Sequence, residues 1–363
     1  MKLALDLARR GEGLTRPNPP VGAVIVKNGK IVASGFHKLA GTDHAEIIAL
    51  KKASAMAKGA SLYVTLEPCS TFGKTPPCVN AIISSGVREV IVAIRDPNPR
   101  HQGQGLFALK KAGIKVIEGV CRNEAQKLIE PFAKWILTGR PYVSLKLAMS
   151  IDGKIADRSG RSRWISGEQS RAEVHALRRR VDAILVGAGT VIADNPSLLP
   201  RPDNGRHIYR IVLDAKGRIP PDAKILNDEA KNRTIIATTG SCPAKTIRGW
   251  EKKNAQVWVL PSQKSMVSVK ALMRKIGQKG LLHVLCEGGA ELADSLVRAR
   301  AVDEFVFFVA PKLMGGHNAL SAFNGNGWPL ANAPRLTFTE CRAVGEDLLI
   351  RAKPEILKTC SPE

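Results

Sequence analysis

The chain has 363 residues, 44% of them apolar, and carries 55 Lys and Arg against 32 Asp and Glu, a net charge of +23. This length suits two domains of about 100–200 residues each, with enough apolar material for two cores. No apolar run approaches the ~20 residues that span a bilayer, which excludes a helical membrane protein. The start, MKLALDLARRGEG, is too charged for a secretory signal, so a cytoplasmic location is expected. A large positive field suits polyanions and phosphorylated small molecules alike. The basic residues are scattered, which reads first as a solubilising surface. Seven cysteines, an odd count, argue against a disulfide framework. Cys121, Cys242, Cys286, Cys341 and Cys360 have no ligand-like neighbours and read as small buried hydrophobes.

In chain order, the first segment reads as an amphipathic helix with Leu3, Leu7 and Leu14 on one side. Val21–Val26 and Ile31–Phe36 are strands flanking Asn28-Gly29, a hairpin turn signal. A helix is predicted over Ala45–Ala57, with Gly59 just past its end. SLYVTLE is the next strand, Cys78–Ser84 a short helix and EVIVAI a further strand. A helix from about Leu106 and a strand around Val116 follow, then a connecting helix from Asn123 to Ile136. Gly139-Arg140-Pro141 breaks the chain, so the domains are expected at 1–140 and 141–363. The second run holds the strands YVSLKLAMS, DAILVG, YRIVLD, RTIIAT, QVWVL, LLHVLC and DEFVFFVA, with helices at Gln169–Arg180 and Ala290–Arg298. Both halves are therefore α/β.

DHAEIIAL places His44 and Glu46 at the start of a helix. LEPCSTFGKTPPC supplies Cys69 after a strand and Cys78 at the start of the next helix. One His and two Cys form a three-ligand zinc set with a fourth position for water; a structural zinc would want a fourth protein ligand. A helix N-terminus also favours thiolate over thiol. His-x-Glu followed by Pro-Cys…Cys is the signature of zinc nucleobase deaminases, in which the Glu moves protons and does not bind metal. Nucleic-acid deaminases show Pro-Cys-x-x-Cys. Here eight residues separate the cysteines.

PNPPVGAVIV, GFHKLAGTDHAE, LYVTLEPCSTFGKTPPC and AIRDPNPR together resemble the deaminase domain of the bifunctional riboflavin-biosynthesis deaminase/reductase family. The resemblance implies a cytidine-deaminase-like three-layer α/β/α domain. It also implies a phosphorylated diamino-ribosylamino-pyrimidinone substrate that loses its ring 2-amino group as ammonia. It places Asn18 on the pyrimidine, His37 and Lys74 on the substrate, and Asp96 and Asn98 along the same pocket. On the residues alone, Asn and Asp beside Pro are ordinary turn formers. One position departs: the family reads Pro-Cys-Ser-His, and Thr71 stands in place of that histidine. The zinc ligands and Glu46 are intact, so deamination is expected to survive, with altered substrate affinity or phosphate contact, or a weakened deaminase, as the alternative.

The second half has no GxGxxG, and Gly187-Ala188-Gly189 is only a fragment of one; Glu287-Gly288-Gly289 follows a strand, where glycines let a helix N-terminus approach phosphate or simply make a turn. SLKLAMSIDGKIAD, RWISG, VHALRRRVDAILVGAGTVIADNPSL, RIVLD, LCEGGAELADSL and VAPKLMGG resemble the reductase domain of the same family. That implies a dihydrofolate-reductase-like fold, NADPH, and reduction of the ribosyl group to ribityl. By matched motif, Ala148, Trp164, Thr190, Asp194, Gly289, Ala290, Glu291, Leu292, Ala293, Asp294 and Ser295 would bind NADPH. Ser162, Arg178, Leu198, Arg201 and Glu287 would bind substrate, with Lys146 beside the reacting sugar. Arg178 and Arg201 suit a bidentate phosphate clamp; Arg178 lies in an Arg-Arg-Arg run, so a surface charge is its alternative.

Two other readings compete. A reductase with an impaired deaminase rests on Thr71 alone. A nucleic-acid deaminase is encouraged by the net charge of +23, but aromatics for base stacking are only 5% of the chain. No nucleic-acid or membrane partner is expected. The resemblance implies a homodimer through the reductase domain.

Overall fold

Asn28 and Gly29, with φ of 50° and 73°, make the tight turn between strands β1 (Gly22–Lys27) and β2 (Lys30–Phe36). Both central residues of such a hairpin turn must take positive φ, which Asn and Gly tolerate best. The computed structural model describes residues 1–72, 76–202 and 208–355. The chain divides into two compact units, Met1–Pro141 with Gly280–Leu282, and Tyr142–Lys279 with His283 onward.

The first unit is built on a five-stranded sheet of order β2-β1-β3-β4-β5, with β3 at Ser61–Val64, β4 at Glu89–Val92 and β5 at Lys115–Glu118. β1 runs antiparallel to β2 and β3, while β3, β4 and β5 are parallel. Alternate residues of β1 serve opposite faces. Ala23 and Ile25 join a core with helices α2 (Ala45–Ala53), α3 (Cys78–Ser84) and α4 (Gln104–Lys111). Val24 packs instead on Ala4 and Leu7 of α1 (Lys2–Arg9). The fifth helix, α5 (Arg122–Thr138), meets α1 through Ala125 and Leu5. Helices thus cover both faces, a three-layer α/β/α arrangement.

Two expectations need correction here. Leu3 is 41% exposed, and Leu5 takes its place in the core, because α1 lies between two apolar clusters and so buries a wider arc. The helix predicted to reach Ala57 stops at Ala53. Ser54 has φ 48°, which a right-handed helix cannot continue through, and a single 3-10 turn completes the segment.

The second unit carries a nine-stranded sheet. Its order is Gln256–Val259, Thr234–Thr238, Tyr209–Leu213, Ala183–Gly187, His283–Cys286, Tyr142–Ser150, Glu304–Ala310, Asp347–Pro354 and Leu336–Val344. The first seven are parallel; the last two form an antiparallel hairpin on the edge. Tyr142–Ser150 and Glu304–Ala310 are largely buried strands inside the sheet, as near-continuous apolar runs should be. The edge hairpin accounts for another correction, since Cys341 lies on the outermost strand and is exposed. Cys121 is half-buried, Cys242 and Cys286 are buried, and Cys360 lies outside the described residues. No helix among the described residues is long and apolar enough to cross a membrane.

Candidate active sites

In the first unit, His44 caps the N-terminus of α2, Cys69 follows β3, and Cys78 opens α3. Gly35 of β2 lets α2 come this close: a Cβ there would stand 2.7 Å from the Ala45 carbonyl oxygen. The His44 Nδ1 and the two sulfurs lie within 4.8 Å of one another. Nδ1 is 3.2 Å from Cys78 Sγ and 3.5 Å from Cys69 Sγ. Bond lengths of about 2.0–2.3 Å in a tetrahedral zinc site put ligand atoms roughly 3.5 Å apart. The donor set and its spacing therefore fit zinc with one position left for water.

The electrostatics agree. The Cys78 thiol bonds to Cys69 and, with help from His44, draws the Cys69 thiol down to about 4 despite burial. The same contact and burial push Cys78 up. Zinc would take both sulfurs as thiolates, with His44 as the third ligand. Glu46, in the first turn of α2 and 3% exposed, has its carboxyl raised by burial and by the Cys69 charge. Such a carboxyl holds a proton more readily than an exposed one, which suits a group that takes and returns protons.

Around this centre, His37 is buried and its imidazole is kept neutral, chiefly by desolvation. Its Nδ1 lies 3.1 Å from the Asp43 carbonyl, so Nδ1 donates there and Nε2 accepts from the Asn18 amide, also at 3.1 Å. Asp96 is buried and takes the Asn98 N–H on Oδ1 at 2.8 Å. The Asn98 side-chain oxygen accepts the Arg100 N–H, as a turn residue does. Lys74 lies outside the described residues.

The second unit holds a cleft of about 1180 Å³. Lys146, Ala148, Ser162, Trp164, Thr190 and Asp194 line it. So do Arg178, Leu198, Arg201 and Glu287. From the helix Ala290–Arg298 and its cap come Gly289, Ala290, Glu291, Leu292 and Ser295. Ala293 and Asp294 do not line it, contrary to expectation. At 3.6 residues per turn they fall on the other side of the helix: Ala293 is fully buried, and Asp294 accepts from Arg298 Nε at 2.7 Å.

Lys146, on the inner strand Tyr142–Ser150, has its charge partner within the protein. Glu287 Oε2 is 3.4 Å from Lys146 Nζ, and Glu287 also takes a bidentate pair from Arg178 at 2.7 and 3.0 Å. Burial opposes the charge on Glu287, but Arg178 and Lys146 prevail and hold its carboxyl at about 2. Arg178 donates a third bond to the Leu199 carbonyl, so it is a built-in cation and no loose surface charge. Ser162 donates to Asp194 at 3.3 Å, and the Arg163 guanidinium bonds the Asp194 carbonyl. Trp164 is 63% exposed, with the Arg171 guanidinium 4.6 Å from its ring centre. In front of Gly187 and Gly189 a Cβ would meet nothing within 4 Å, so the backbone there is open to a ligand. The open glycine backbone, the helix cap at Gly289 and the cleft volume fit a dinucleotide.

Some site residues escaped the sequence reading. His175 lines the cleft, and its Nδ1 accepts the Arg201 N–H at 3.1 Å. Burial and the neighbouring Arg178 and Arg201 keep it neutral, hence able to accept. A signal existed, since His175 and Arg178 stand at i, i+3 on one helix. Glu67 is buried and accepts the N–H groups of Asp96, Gly103 and Gly105. His101 touches Asp96 and Thr71. Nothing in their spacing announces these last two roles.

Comparison with known proteins finds relatives for both halves of the chain. Residues 1–94 match the model of the cytidine and deoxycytidylate deaminase zinc-binding region, and residues 141–350 match the RibD C-terminal domain. The riboflavin biosynthesis protein RibD of Bacillus amyloliquefaciens is 42% identical over 357 residues, covering 98% of this chain and 95% of that protein. The structure of Acinetobacter baumannii RibD superposes with a TM-score of 0.87 at 36% identity, covering 98% of each chain. A Thermotoga maritima structure described as a diaminohydroxyphosphoribosylaminopyrimidine deaminase/5-amino-6-(5-phosphoribosylamino)uracil reductase gives 0.86 at 36% identity, over 98% of this chain and 97% of that one. The chain belongs to the RibD family, as a bifunctional zinc-dependent deaminase and NADPH-dependent reductase of riboflavin biosynthesis.

Proposed function

We propose that residues 1–140 deaminate 2,5-diamino-6-ribosylamino-4(3H)-pyrimidinone 5′-phosphate. Residues 141–363 then reduce the product's ribosyl group, giving 5-amino-6-ribitylamino-uracil 5′-phosphate. The observation that carries the reading is a buried carboxyl, Glu46, held protonatable beside three converging donor atoms. When bound, zinc activates water toward the ring carbon, and NADPH supplies the hydride for the sugar C1′. Glu46 takes the proton of the attacking water on its carboxylate and returns it to the leaving nitrogen. Asn18, fixed by neutral His37, orients the ring through its carbonyl oxygen. Asp96 and Asn98 border the same ring, and Lys74 meets the substrate phosphate.

In the reductase half, Glu287 sets the positions of Lys146 and Arg178 so that both cations face one cleft. Arg201, held at its backbone by His175, serves as the outer phosphate clamp. Arg178 spends three donors inside the protein, so it contributes mainly charge there. Ser162 and Leu198 border the substrate; Ala148, Trp164, Thr190, Asp194 and the cap at Gly289 border NADPH. A cytoplasmic homodimer is the expected form. The exposed edge strand Leu336–Val344, with Phe338 70% exposed, supports pairing through the reductase unit. Sedimentation of the full chain tests it.

The decisive assay supplies the diamino pyrimidinone phosphate to zinc-loaded protein and follows ammonia release and NADPH oxidation separately. Both are expected from the wild type. NADPH oxidation that appears only with pre-deaminated substrate would leave a reductase alone.

A further inference from the structure

The segment after β3 and the segment after β4 are joined twice. Beneath, buried Glu67 accepts the Asp96 and Gly103 N–H groups on Oε2, at 3.2 and 3.0 Å, and the Gly105 N–H on Oε1 at 3.0 Å. Gly105 makes the approach possible, since a Cβ there would stand 2.1 Å from the Pro68 carbonyl oxygen. Above, three side chains link in a row. Thr71 Oγ1 is 2.9 Å from His101 Nε2, and His101 Nδ1 is 3.2 Å from Asp96 Oδ2. The His101 side chain is 23% exposed and that of Asp96 9%, so the row runs from the rim inward.

The donors can be assigned. Burial raises the Asp96 carboxyl, while the Asn98 N–H and His101 favour its charged form; as a carboxylate it only accepts, and His101 Nδ1 is then the donor. With Nδ1 on Asp96, Nε2 is the ring atom that meets the Thr71 hydroxyl. The second Asp96 oxygen is taken by the Asn98 N–H. Glu67 fixes only backbone, so the direction of the Asp96 carboxylate depends on His101 and Asn98.

We propose that His101 is a positioning residue of the deaminase site: it acts through Asp96, and Thr71 acts through His101. The proposal rests on the reading that Asp96 meets the pyrimidine. It also gives the departure at position 71 a different meaning. The family's histidine at that position is absent, but an imidazole from the neighbouring segment stands against the threonine that replaces it. Thr71 is the outer member of a working row and not a lesion.

The test is a double-variant cycle on full-length, zinc-loaded protein, read as KM and kcat for ammonia release, with zinc content and NADPH oxidation as checks on folding. His101→Ala should raise KM about ten-fold with kcat little changed, the effect of losing one charge-assisted hydrogen bond. His101→Asn, whose amide can still donate to Asp96, should recover most of it. Thr71→Val should raise KM by a smaller factor, and should add nothing in the His101→Ala background. An unchanged KM in His101→Ala, or a Thr71→Val effect that persists without His101, overturns the proposal. Asp96→Asn separates the two levels. If it raises KM while His101→Ala is silent, the positioning role alone fails; if neither moves KM, the substrate role of Asp96 has failed too.

Discussion

In the first unit the chemically active groups sit within a short stretch, His44 to Cys78, and converge on a point meant for a cation. In the second they come from strands and helices far apart, Lys146, Arg178 and Glu287, and they satisfy one another directly. The deaminase centre gains its final charge balance from outside the chain. The reductase centre pairs its charges within the chain before any ligand arrives, two cations on one carboxylate, and keeps one positive charge over. Removing a group should therefore act on chemistry in the first and on folding as well as chemistry in the second.

The largest effect expected is in the first unit. Glu46→Gln should cut ammonia release by a factor on the order of 10²–10⁴, the usual range for loss of a general acid–base. NADPH oxidation with pre-deaminated substrate should be unchanged, and zinc chelation should give the same split. If both activities fall together, the two sites are not independent in this way.

Glu287→Ala should show the contrast. It strands Lys146 and Arg178 in a buried setting, and removing one partner of a buried ion pair costs about 3–5 kcal/mol. Denaturant unfolding of the second unit should register that loss. Unchanged stability would mean that water or side-chain movement relieves the two cations.

The same pair gives a pH signature of somewhat smaller size. The folded-state value for Glu287 lies below its ordinary one, about 2 against 4.5. The unfolded chain therefore binds the proton more readily. Stability from this group is fully present above about pH 4.5 and is lost as pH falls toward 2. A shift of this size corresponds to roughly 3 kcal/mol. Glu287→Gln should flatten that part of the stability profile in acid denaturation.

Smaller again is His175→Phe, which removes the acceptor for the Arg201 N–H. A lost neutral hydrogen bond of about 1 kcal/mol should raise the reductase KM roughly five-fold. Ammonia release should not change. An effect on both steps would indicate a general fold defect in place of local placement of Arg201.

Much of this was legible in the chain because the signals are local. The Asn28-Gly29 hairpin, the near-continuous strand runs and the His44–Glu46…Cys69…Cys78 pattern each depend on neighbours in sequence. Glycine conformation, strand periodicity and zinc's demand for nitrogen and sulfur donors act over a few residues, so composition and spacing determine them. The reductase motifs marked the cleft well but not which face of a helix turns toward it. Ala293 and Asp294 share a motif with Gly289 and Ser295 and still point elsewhere.

What only the tertiary structure decided are the pairings across long sequence distance. Lys146 and Glu287 are 141 positions apart (287 − 146) and meet because their strands lie side by side in one parallel sheet. Thr71 and His101 meet because β3 and β4 are parallel neighbours whose following loops leave the same edge. Neither pair has any signal in residue type or spacing. A buried charge takes its partner from whatever the fold brings within hydrogen-bonding reach, and that choice is made by sheet order.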